Sequence, residues 1–337
     1  MFGHCSRRQL LESVPLLTLV ACHRSTGPDA GPLPQGTVPK RKLGSTGVDV
    51  SIVGIGGFHL GIPKAPAVAT RIVHRALDHG VTFFDNCWDY HDGESEKRLG
   101  NALWAKRSGA FVMTKIDGQT KASATRQLEE SLVRLRTDVI DLVQLHEMIR
   151  PDDPARVFSD DGSVAALLEA KKAGKVRFIG FTGHKDPAIH LAMLDEAKKH
   201  GVKFDAQQLP LNVMDHHFKS FERDVLPRCK AEGIGVLGMK PLGSGDILKA
   251  RVATADECLR YAMSLPVDTT ITGCDSEAVL DQALRIAMGF EAMPDAERTA
   301  LLARTLEAAR RGEFEAFKTT TRFDGTVQNP EWLGLSG

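Results

Sequence analysis

Short apolar runs alternate with longer amphipathic runs over most of the chain. Eight apolar runs have the length and composition of β-strands. They are SIVGIGG (51–57), VTFFDN (81–86), AFVMTKI (110–116), VIDLVQLH (139–146), VRFIGFT (176–182), FDAQQLPL (204–211), GIGVLGMK (233–240) and TTITGC (269–274). The stretches between them have helical periodicity, and several end at a glycine that can cap a helix. This alternation indicates a parallel sheet covered by helices.

A closed barrel suits this pattern better than an open sheet. Eight strand–helix units in fewer than about 300 residues predict an α/β fold of the (β/α)8 TIM barrel type. An open doubly wound sheet is the second interpretation, but its G-x-G-x-x-G fingerprint is approached only at residues 54–57, without the third glycine. RKLGSTGVDVS (41–51) predicts an N-terminal β-hairpin across the barrel bottom. Residues 294–318 predict a C-terminal helical extension, placed over the barrel mouth or against the barrel wall.

The N-terminal residues are expected to lie outside the barrel. Arg7 and Arg8 precede a short apolar stretch that leads directly to Cys22. This segment resembles a twin-arginine export signal ending in a lipoprotein cleavage box. The resemblance implies a protein of the cell envelope whose only membrane contact is a lipid on Cys22. A leader without function on a cytoplasmic protein is the alternative.

Four segments follow from these patterns. The stretch between the signal and the barrel is rich in glycine and proline, which is typical of a flexible linker. The predicted division is an export signal at 1–22, a linker at 23–40, the barrel at 41–290, and a C-terminal helix and tail at 291–337.

Charge and cysteine content exclude several classes of partner and site. Lysine plus arginine and aspartate plus glutamate both number 43, so no net field favours nucleic acid or an anionic membrane. The cysteines include no C-x-x-C pair, and the sequence therefore predicts neither a disulfide scaffold nor a metal site. Burial as small apolar side chains is the interpretation for Cys87, Cys229, Cys258 and Cys274. The sequence does not indicate an oligomeric state.

Four polar residues are predicted to meet at the mouth of the barrel. Asp85 ends the second strand, and Tyr90 lies in the loop beyond it. Lys115 lies at the end of the third strand and His146 at the end of the fourth. Barrel active sites lie at the C-terminal ends of the strands, so these side chains should converge. Each alone has an ordinary interpretation, such as a structural ion pair, a core histidine or a pocket wall.

Together, the four residues suit carbonyl reduction. Hydride transfer to a carbonyl carbon requires a proton for the oxygen. The phenol of Tyr90 can donate it if the ammonium of Lys115 lowers the phenol pKa from about 10. Asp85 would keep Lys115 charged and in place, and His146 could donate a hydrogen bond to the carbonyl oxygen.

Three segments resemble motifs of the aldo-keto reductase superfamily. GVTFFDNCWDYHDGESEKRLGNAL resembles the family segment G-x-x-x-x-D-T-A-x-x-Y-G-x-x-E-x-x-L-G, VMTKI resembles its lysine strand, and DLVQLHE its histidine strand. The resemblance implies that Asp85, Tyr90, Lys115 and His146 are the catalytic tetrad of an oxidoreductase. Such an enzyme reduces small-molecule aldehydes or ketones with NADPH or NADH. By the same resemblance, Trp88 lines the substrate pocket.

Cofactor contacts follow the family pattern less closely. FIGFTGHKDP resembles the fifth-strand segment G-x-S-N, with Thr182 in place of the serine and Gly183 in place of the asparagine. AQQLPLN aligns Gln208 with the family glutamine that contacts the nicotinamide amide. LGMKPLGSG aligns Met239 with an aromatic ring under the nicotinamide, where a polarisable thioether could serve.

Two loops are expected to hold the rest of the dinucleotide. Leu242, Gly243 and Gly245 form a loop whose backbone N–H groups could approach the pyrophosphate. Gly273 and Asp275 stand where family members that prefer the 2′-phosphorylated dinucleotide carry a cation. A carboxylate at Asp275 would repel that phosphate and favour NADH, or it could simply cap the next helix.

Two other functional classes remain open. A catalytically silent cofactor-sensing or regulatory protein could use the same barrel, but the intact tetrad argues against it. A metal-dependent hydrolase would require paired histidine and carboxylate ligands at strand ends. His184, His216 and His217 are available, but no carboxylate cluster is evident beside them in the sequence.

Overall fold

The computed structural model of the protein describes residues 32–335. The predicted export signal, including Cys22, lies outside the described residues, as does the first part of the predicted linker. Export to the cell envelope therefore stays a prediction. Within residues 32–335, no helix is both long enough and apolar enough to cross a membrane.

Eight parallel strands form a closed barrel, and two shorter strands form a hairpin. The hairpin strands are Lys40–Lys42 (β1) and Asp49–Ser51 (β2). The barrel strands are Val53–Gly56 (β3), Phe83–Asp85 (β4), Phe111–Ile116 (β5), Ile140–Leu145 (β6), Val176–Thr182 (β7), Ala206–Pro210 (β8), Gly235–Met239 (β9) and Thr269–Gly273 (β10). β10 pairs with β3 and closes the barrel. The predicted (β/α)8 fold is confirmed, and the open sheet is excluded.

Helices surround the barrel and extend the chain after it. They are Gly57–Gly61 (α1), Pro66–Asp78 (α2), Glu94–Leu103 (α3), Lys121–Leu135 (α4), Asp153–Val157 (α5), Ser163–Lys172 (α6), Pro187–Lys199 (α7), Phe221–Asp224 (α8), Leu226–Ala231 (α9), Asp246–Lys249 (α10), Ala255–Ser264 (α11), Glu277–Met288 (α12), Asp295–Ala309 (α13), Ala316–Thr319 (α14) and Gly325–Gln328 (α15). Local capping sets several of the starts. The hydroxyl of Thr120 accepts the backbone N–H of Ser123 at 3.2 Å, which satisfies one free donor of α4.

The hairpin closes the bottom of the barrel, as predicted. β1 and β2 pair antiparallel, with Lys40 opposite Ser51. Leu43, in the hairpin turn, is fully buried against side chains of the barrel interior, which include Phe83 and Phe111. The backbone N–H of Gly44 donates to the Asp268 carboxylate at 2.8 Å. Apolar burial and this bond together attach the hairpin to the N-terminal ends of the strands.

The C-terminal extension reaches both locations that the sequence left open. α13 packs on the barrel wall, where the Thr305 hydroxyl donates to the carbonyl oxygen of Val213 at 3.2 Å. The segment from α14 to α15 instead crosses the mouth of the barrel. There the Asp324 carboxylate lies 2.9 Å from His184 Nε2, and the side chain of Phe323 faces the cavity.

Candidate active site

The four predicted catalytic side chains meet at the barrel mouth. Lys115, which is 1% exposed, donates hydrogen bonds to the Asp85 carboxylate and to the Asn86 carbonyl oxygen, the latter at 2.8 Å. Its Nζ also lies 3.3 Å from the Tyr90 hydroxyl. The rings of Tyr90 and His146 meet edge to face, with centroids 6.1 Å apart. Strands β4, β5 and β6 thus place one ammonium, one phenol and one imidazole around the same space.

The pKa of Tyr90 differs from the expected direction. The sequence predicts that Lys115 lowers this pKa, but burial raises it well above 10, and the charges of Asp85, Cys87 and Asp89 raise it further. Burial removes water from the phenolate, and Asp85 already offsets the ammonium of Lys115. That prediction is wrong, and the phenol of Tyr90 keeps its proton throughout the neutral range.

A compact group of polar side chains surrounds Nδ1 of His146. This nitrogen lies 2.8 Å from Asp117 Oδ1, 3.2 Å from Cys87 Sγ and 3.8 Å from Asp89 Oδ1. Burial raises the pKa of Asp117 well above its usual value and raises that of Asp89 to about 7. Burial also lowers the pKa of His146, so the neutral imidazole is its form at neutral pH. Because these contacts occupy Nδ1, Nε2 is the ring nitrogen that can face the cavity.

This group also forms a possible donor set for a metal ion. Cys87, Asp89, Asp117 and His146 each offer one atom, and the four atoms lie within 4.8 Å of one another. One sulfur, one nitrogen and two oxygens suit a borderline divalent cation such as zinc. The sequence offers other histidines for this role and predicts Cys87 only as a buried apolar residue.

The tetrad opens into a cavity of about 560 Å³, a volume within the usual range for small-molecule sites. Tyr90, Lys115 and His146 lie in its wall, together with the ends of β3 and β7 to β10. The C-terminal tail supplies Phe323 and Gly325 to the same wall. The cavity therefore has a polar end, formed by the tetrad, and a cover made by a segment distant in sequence.

The chain also matches the model of one known protein family. Residues 52–260, more than half of the chain, match the model of the "Aldo/keto reductase family". The chain belongs to the aldo/keto reductase family. Its matched region contains all four members of the tetrad.

Individual relatives and one solved structure are similar to this chain. The chain is 35% identical over 217 residues to the L-galactose dehydrogenase of Arabidopsis thaliana, a match covering 61% of this chain and 66% of the relative. It is 28% identical over 253 residues to an aldo-keto reductase of Alternaria alternata, covering 62% and 66%. The chain thus spans just under two thirds of the length of these relatives. The holo form of an aldo-keto reductase from Bacillus halodurans superposes with a TM-score of 0.67 at 21% identity, covering 82% of this chain and 99% of that one.

Trp88 does not lie in the cavity wall, contrary to the expectation from the family resemblance. Its indole N–H donates to the Glu130 carboxylate at 2.6 Å, and Arg134 lies over its ring at 5.5 Å. Its ring also meets that of Trp332 edge to face, with centroids 5.8 Å apart. The loop after β4 turns this side chain toward α4 and the end of the tail. Phe58, at the start of α1, instead lies against Tyr90 in the cavity, with centroids 5.5 Å apart.

Three of the expected nicotinamide contacts line the cavity side by side. Gln208 donates through Nε2 to the second oxygen of Asp85 at 3.0 Å, which links it directly to the tetrad. Its Oε1 is buried and has no hydrogen-bond partner in the described part of the chain. The Thr182 hydroxyl donates to the Gln208 carbonyl oxygen at 3.1 Å and lies 3.9 Å from the sulfur of Met239. Gly183, by contrast, is not part of the cavity wall.

The loop after β9 is only partly available to a ligand. Leu242 and Gly245 line the cavity, whereas Gly243 is buried behind them. The backbone N–H of Gly243 donates to the Lys240 carbonyl oxygen and that of Gly245 to the Leu242 carbonyl oxygen, both at 2.9 Å. These two N–H groups donate within the turn. The expectation that they face a pyrophosphate is therefore wrong.

The loop after β10 separates its two predicted residues. Gly273 lines the cavity, and a Cβ at this position would lie 2.1 Å from the imidazole of His59, so only glycine allows this packing. Asp275 is exposed and lies outside the cavity wall. It does not cap α12, because the hydroxyl of Ser276 accepts the N–H of Val279 there.

Several site residues have only weak signals in the sequence. Asp117 follows Lys115 by two positions, and a period of two places both side chains on one face, so it could have been found. Glu147 and Lys240 directly follow predicted site residues, but their surroundings come from the distant C-terminal tail. The sequence offers His184 only as a possible metal ligand, yet this residue lines the cavity beside that tail.

Proposed function

We propose that this protein is an NAD(P)H-dependent oxidoreductase that reduces an aldehyde or ketone to the alcohol, with Tyr90 as the proton donor. One observation carries the proposal: the Tyr90 hydroxyl lies 3.3 Å from Lys115 Nζ, in a cavity that His146 also lines. A carbonyl oxygen gains negative charge as hydride is transferred to its carbon. It then needs a proton donor, a nearby cation and a hydrogen-bond donor, and this site places a phenol, an ammonium and a neutral imidazole around one space.

Each tetrad member has a distinct task in this proposal. Burial keeps the phenol of Tyr90 protonated, which is the form a general acid must have. Lys115 lies close enough to stabilise the phenolate that forms when the proton leaves, and Asp85 holds that ammonium in place. His146 presents Nε2 to the cavity, where an N–H can donate to the carbonyl oxygen. Asp117 orients His146 through its bond to Nδ1.

The cavity also fits a nicotinamide dinucleotide. The unpartnered Oε1 of Gln208 is a buried acceptor at the cavity, and a carboxamide N–H would satisfy it. Gln208, Thr182 and Met239 would hold the nicotinamide end, with Leu242, Gly245 and Gly273 farther along the wall. The bound dinucleotide would supply the hydride.

Cofactor choice is a separate part of the proposal. Asp275 lies exposed just beyond Gly273, and a carboxylate there would repel a 2′-phosphate. We expect the enzyme to use NADH at least as well as NADPH, and Asp275→Asn to shift the ratio toward NADPH. Steady-state kinetics with both cofactors would measure this, and a tenfold or greater preference of the wild type for NADPH would contradict it.

The proposed function can be tested with one conservative substitution. Purified wild type and Tyr90→Phe are titrated with each cofactor by nicotinamide fluorescence and then assayed with reactive aldehydes. We expect equal cofactor affinity and a loss of kcat of about 10²–10⁴-fold in Tyr90→Phe, the range for a general acid. Cofactor binding without turnover in the wild type would instead support the cofactor-sensing alternative. If the wild type binds neither cofactor, the proposal fails.

A further inference from the structure

Lys240 places a second ammonium in the wall of the cavity. It directly follows β9 and lines the cavity together with Tyr90 and His146. Its backbone has φ of +55°, in the left-handed region that a residue other than glycine rarely occupies. Such strain is found mostly at functional sites.

No protein group neutralises Lys240 at close range. Within residues 32–335 its Nζ has no carboxylate within 4.0 Å and no hydrogen-bond partner. Its Nζ lies over the rings of Phe323, 4.8 Å from the centroid, and of Phe317, 5.2 Å from the centroid. Aromatic faces attract a cation only weakly compared with an anion. Lys115, the other ammonium of the cavity wall, is by contrast fully bonded.

The charges around Lys240 indicate which part of the cavity it faces. Those that act on it belong to Glu147, Lys115, Asp85 and Asp324, and it acts in turn on His59 and His184. These groups belong to the tetrad, to the residues that hold the tail, and to the mouth. Together with the contact to Phe323 of the tail, they place the ammonium beneath the segment that crosses the mouth of the barrel. Burial lowers the pKa of Lys240 to about 8, so a bound anion would favour its charged form.

We propose that Lys240 is an oxyanion-binding residue, and that the carbonyl substrate of this enzyme carries a carboxylate or phosphate group. The inference rests on the proposed function and names its substrate class. An ammonium with three donors and no protein acceptor can bind one oxygen of such a group directly. The rings of Phe317 and Phe323 exclude water around that contact, which strengthens it.

The test compares two aldehydes that differ in charge and little in shape. 4-Carboxybenzaldehyde and 4-nitrobenzaldehyde both carry a planar three-atom substituent. Each compound is compared with itself between variants, so differences in intrinsic reactivity cancel. Lys240→Met removes the charge and keeps most of the length. We expect it to raise KM for the carboxylate by about 10–100-fold, the worth of one buried charged hydrogen bond. KM for the nitro compound should stay within about threefold, and Lys240→Arg should retain most of the preference.

Control variants test whether Lys240 binds the substrate or a phosphate group of the cofactor. Lys249→Met removes an exposed lysine near the same cavity, which is paired with Asp246, and should change neither KM. Cofactor dissociation constants are measured for every variant. If Lys240→Met weakens cofactor binding and leaves both KM values unchanged, Lys240 binds a phosphate of the dinucleotide and the proposal is overturned. Equal KM changes for both aldehydes would also overturn it.

A readout without turnover keeps this inference separate from the proposed function. If the wild type reduces neither aldehyde, the proposed function fails for these compounds, and binding of benzoate is then measured by calorimetry. Benzoate binding that is lost in Lys240→Met and retained in Tyr90→Phe supports an oxyanion subsite. Absence of benzoate binding in the wild type overturns it.

Discussion

The carboxylate of Glu147 accepts two hydrogen bonds from Thr326, one from the backbone N–H at 2.8 Å and one from the hydroxyl at 2.6 Å. The backbone N–H of Gly325 donates to the same carboxylate at 2.8 Å. Glu147 directly follows His146 and is 3% exposed. One buried side chain therefore joins the C-terminal tail to the residue next to a member of the tetrad.

Removing this connection should release the tail. Glu147→Ala leaves three donors of the tail without an acceptor, and each buried unsatisfied donor costs about 1–3 kcal/mol. We expect a lower melting temperature, a higher KM and faster trypsin cleavage after the exposed Arg322, measured by limited digestion and mass spectrometry. Glu313→Ala, which removes an exposed carboxylate of the same extension, should cleave like the wild type. Equal cleavage of Glu147→Ala and the wild type would contradict this account of the tail.

A buried ion triad should be the main attachment of α14. Lys318 has a fully buried side chain and donates to the Asp215 carboxylate at 2.6 Å, the Glu315 carboxylate at 3.1 Å and the Phe218 carbonyl oxygen at 2.7 Å. Lys318→Met leaves two buried carboxylates without a counterion, and such losses cost about 3–5 kcal/mol. Denaturant unfolding measures the change. The double variant Lys318→Met with Glu315→Gln should recover part of the lost stability. If it recovers none, the unpaired charge is not the cause of the loss in Lys318→Met.

The same variant should have a defined pH dependence. In the wild type, burial raises the pKa of Glu315 to about 7 although Lys318 lowers it, against about 4.3 in an unfolded chain, so the loss of Lys318 raises this pKa further. The stability that comes with the protonated carboxyl is fully present below about pH 4 and is lost as the pH rises through 7. The deficit of Lys318→Met should therefore be largest at pH 8 and smallest near pH 4. A deficit that is constant over this range would exclude the electrostatic explanation.

Phe58, rather than Trp88, should contribute to the binding of the substrate. Trp88→Phe loses the hydrogen bond to Glu130 and should lower the free energy of unfolding by about 1 kcal/mol, with KM unchanged. Phe58→Ala removes a ring from beside Tyr90 and should raise KM for aromatic aldehydes severalfold, with little loss of stability because the ring is 48% exposed. Urea unfolding measures the free energy of unfolding of both variants, and steady-state kinetics measure their KM. A raised KM in Trp88→Phe alone would reverse the assignment.

Recognition of anionic substrates should weaken in alkaline solution. Lys240 has a pKa of about 8 in the fold, so its ammonium is present below this pH and disappears above it. We expect KM for 4-carboxybenzaldehyde to rise as the pH passes 8, while KM for 4-nitrobenzaldehyde stays level. Lys240→Arg should shift the rise beyond the assay range, because a guanidinium stays charged. The same rise in Lys240→Arg would mean that another group titrates.

The order of the barrel strands and the meeting of the tetrad were determined by the sequence itself. Apolar runs of strand length specify the eight strands, and chain order specifies their sequence around the barrel. Asp85, Lys115 and His146 stand at strand ends, and all parallel strands of a barrel end at the same mouth. Convergence of these side chains therefore follows from local position alone.

Only the tertiary structure decided the environment of these residues. The phenol of Tyr90 has a raised pKa because burial and several carboxylates act on it together, whereas the sequence suggested Lys115 as the dominant influence. Trp88 turns away from the cavity because Glu130, in a helix more than 40 positions later, accepts its N–H. Glu147 meets Thr326 across 179 positions. Periodicity records which face of an element is buried, but not which distant segment covers it, and burial and charge at the site depend on that segment.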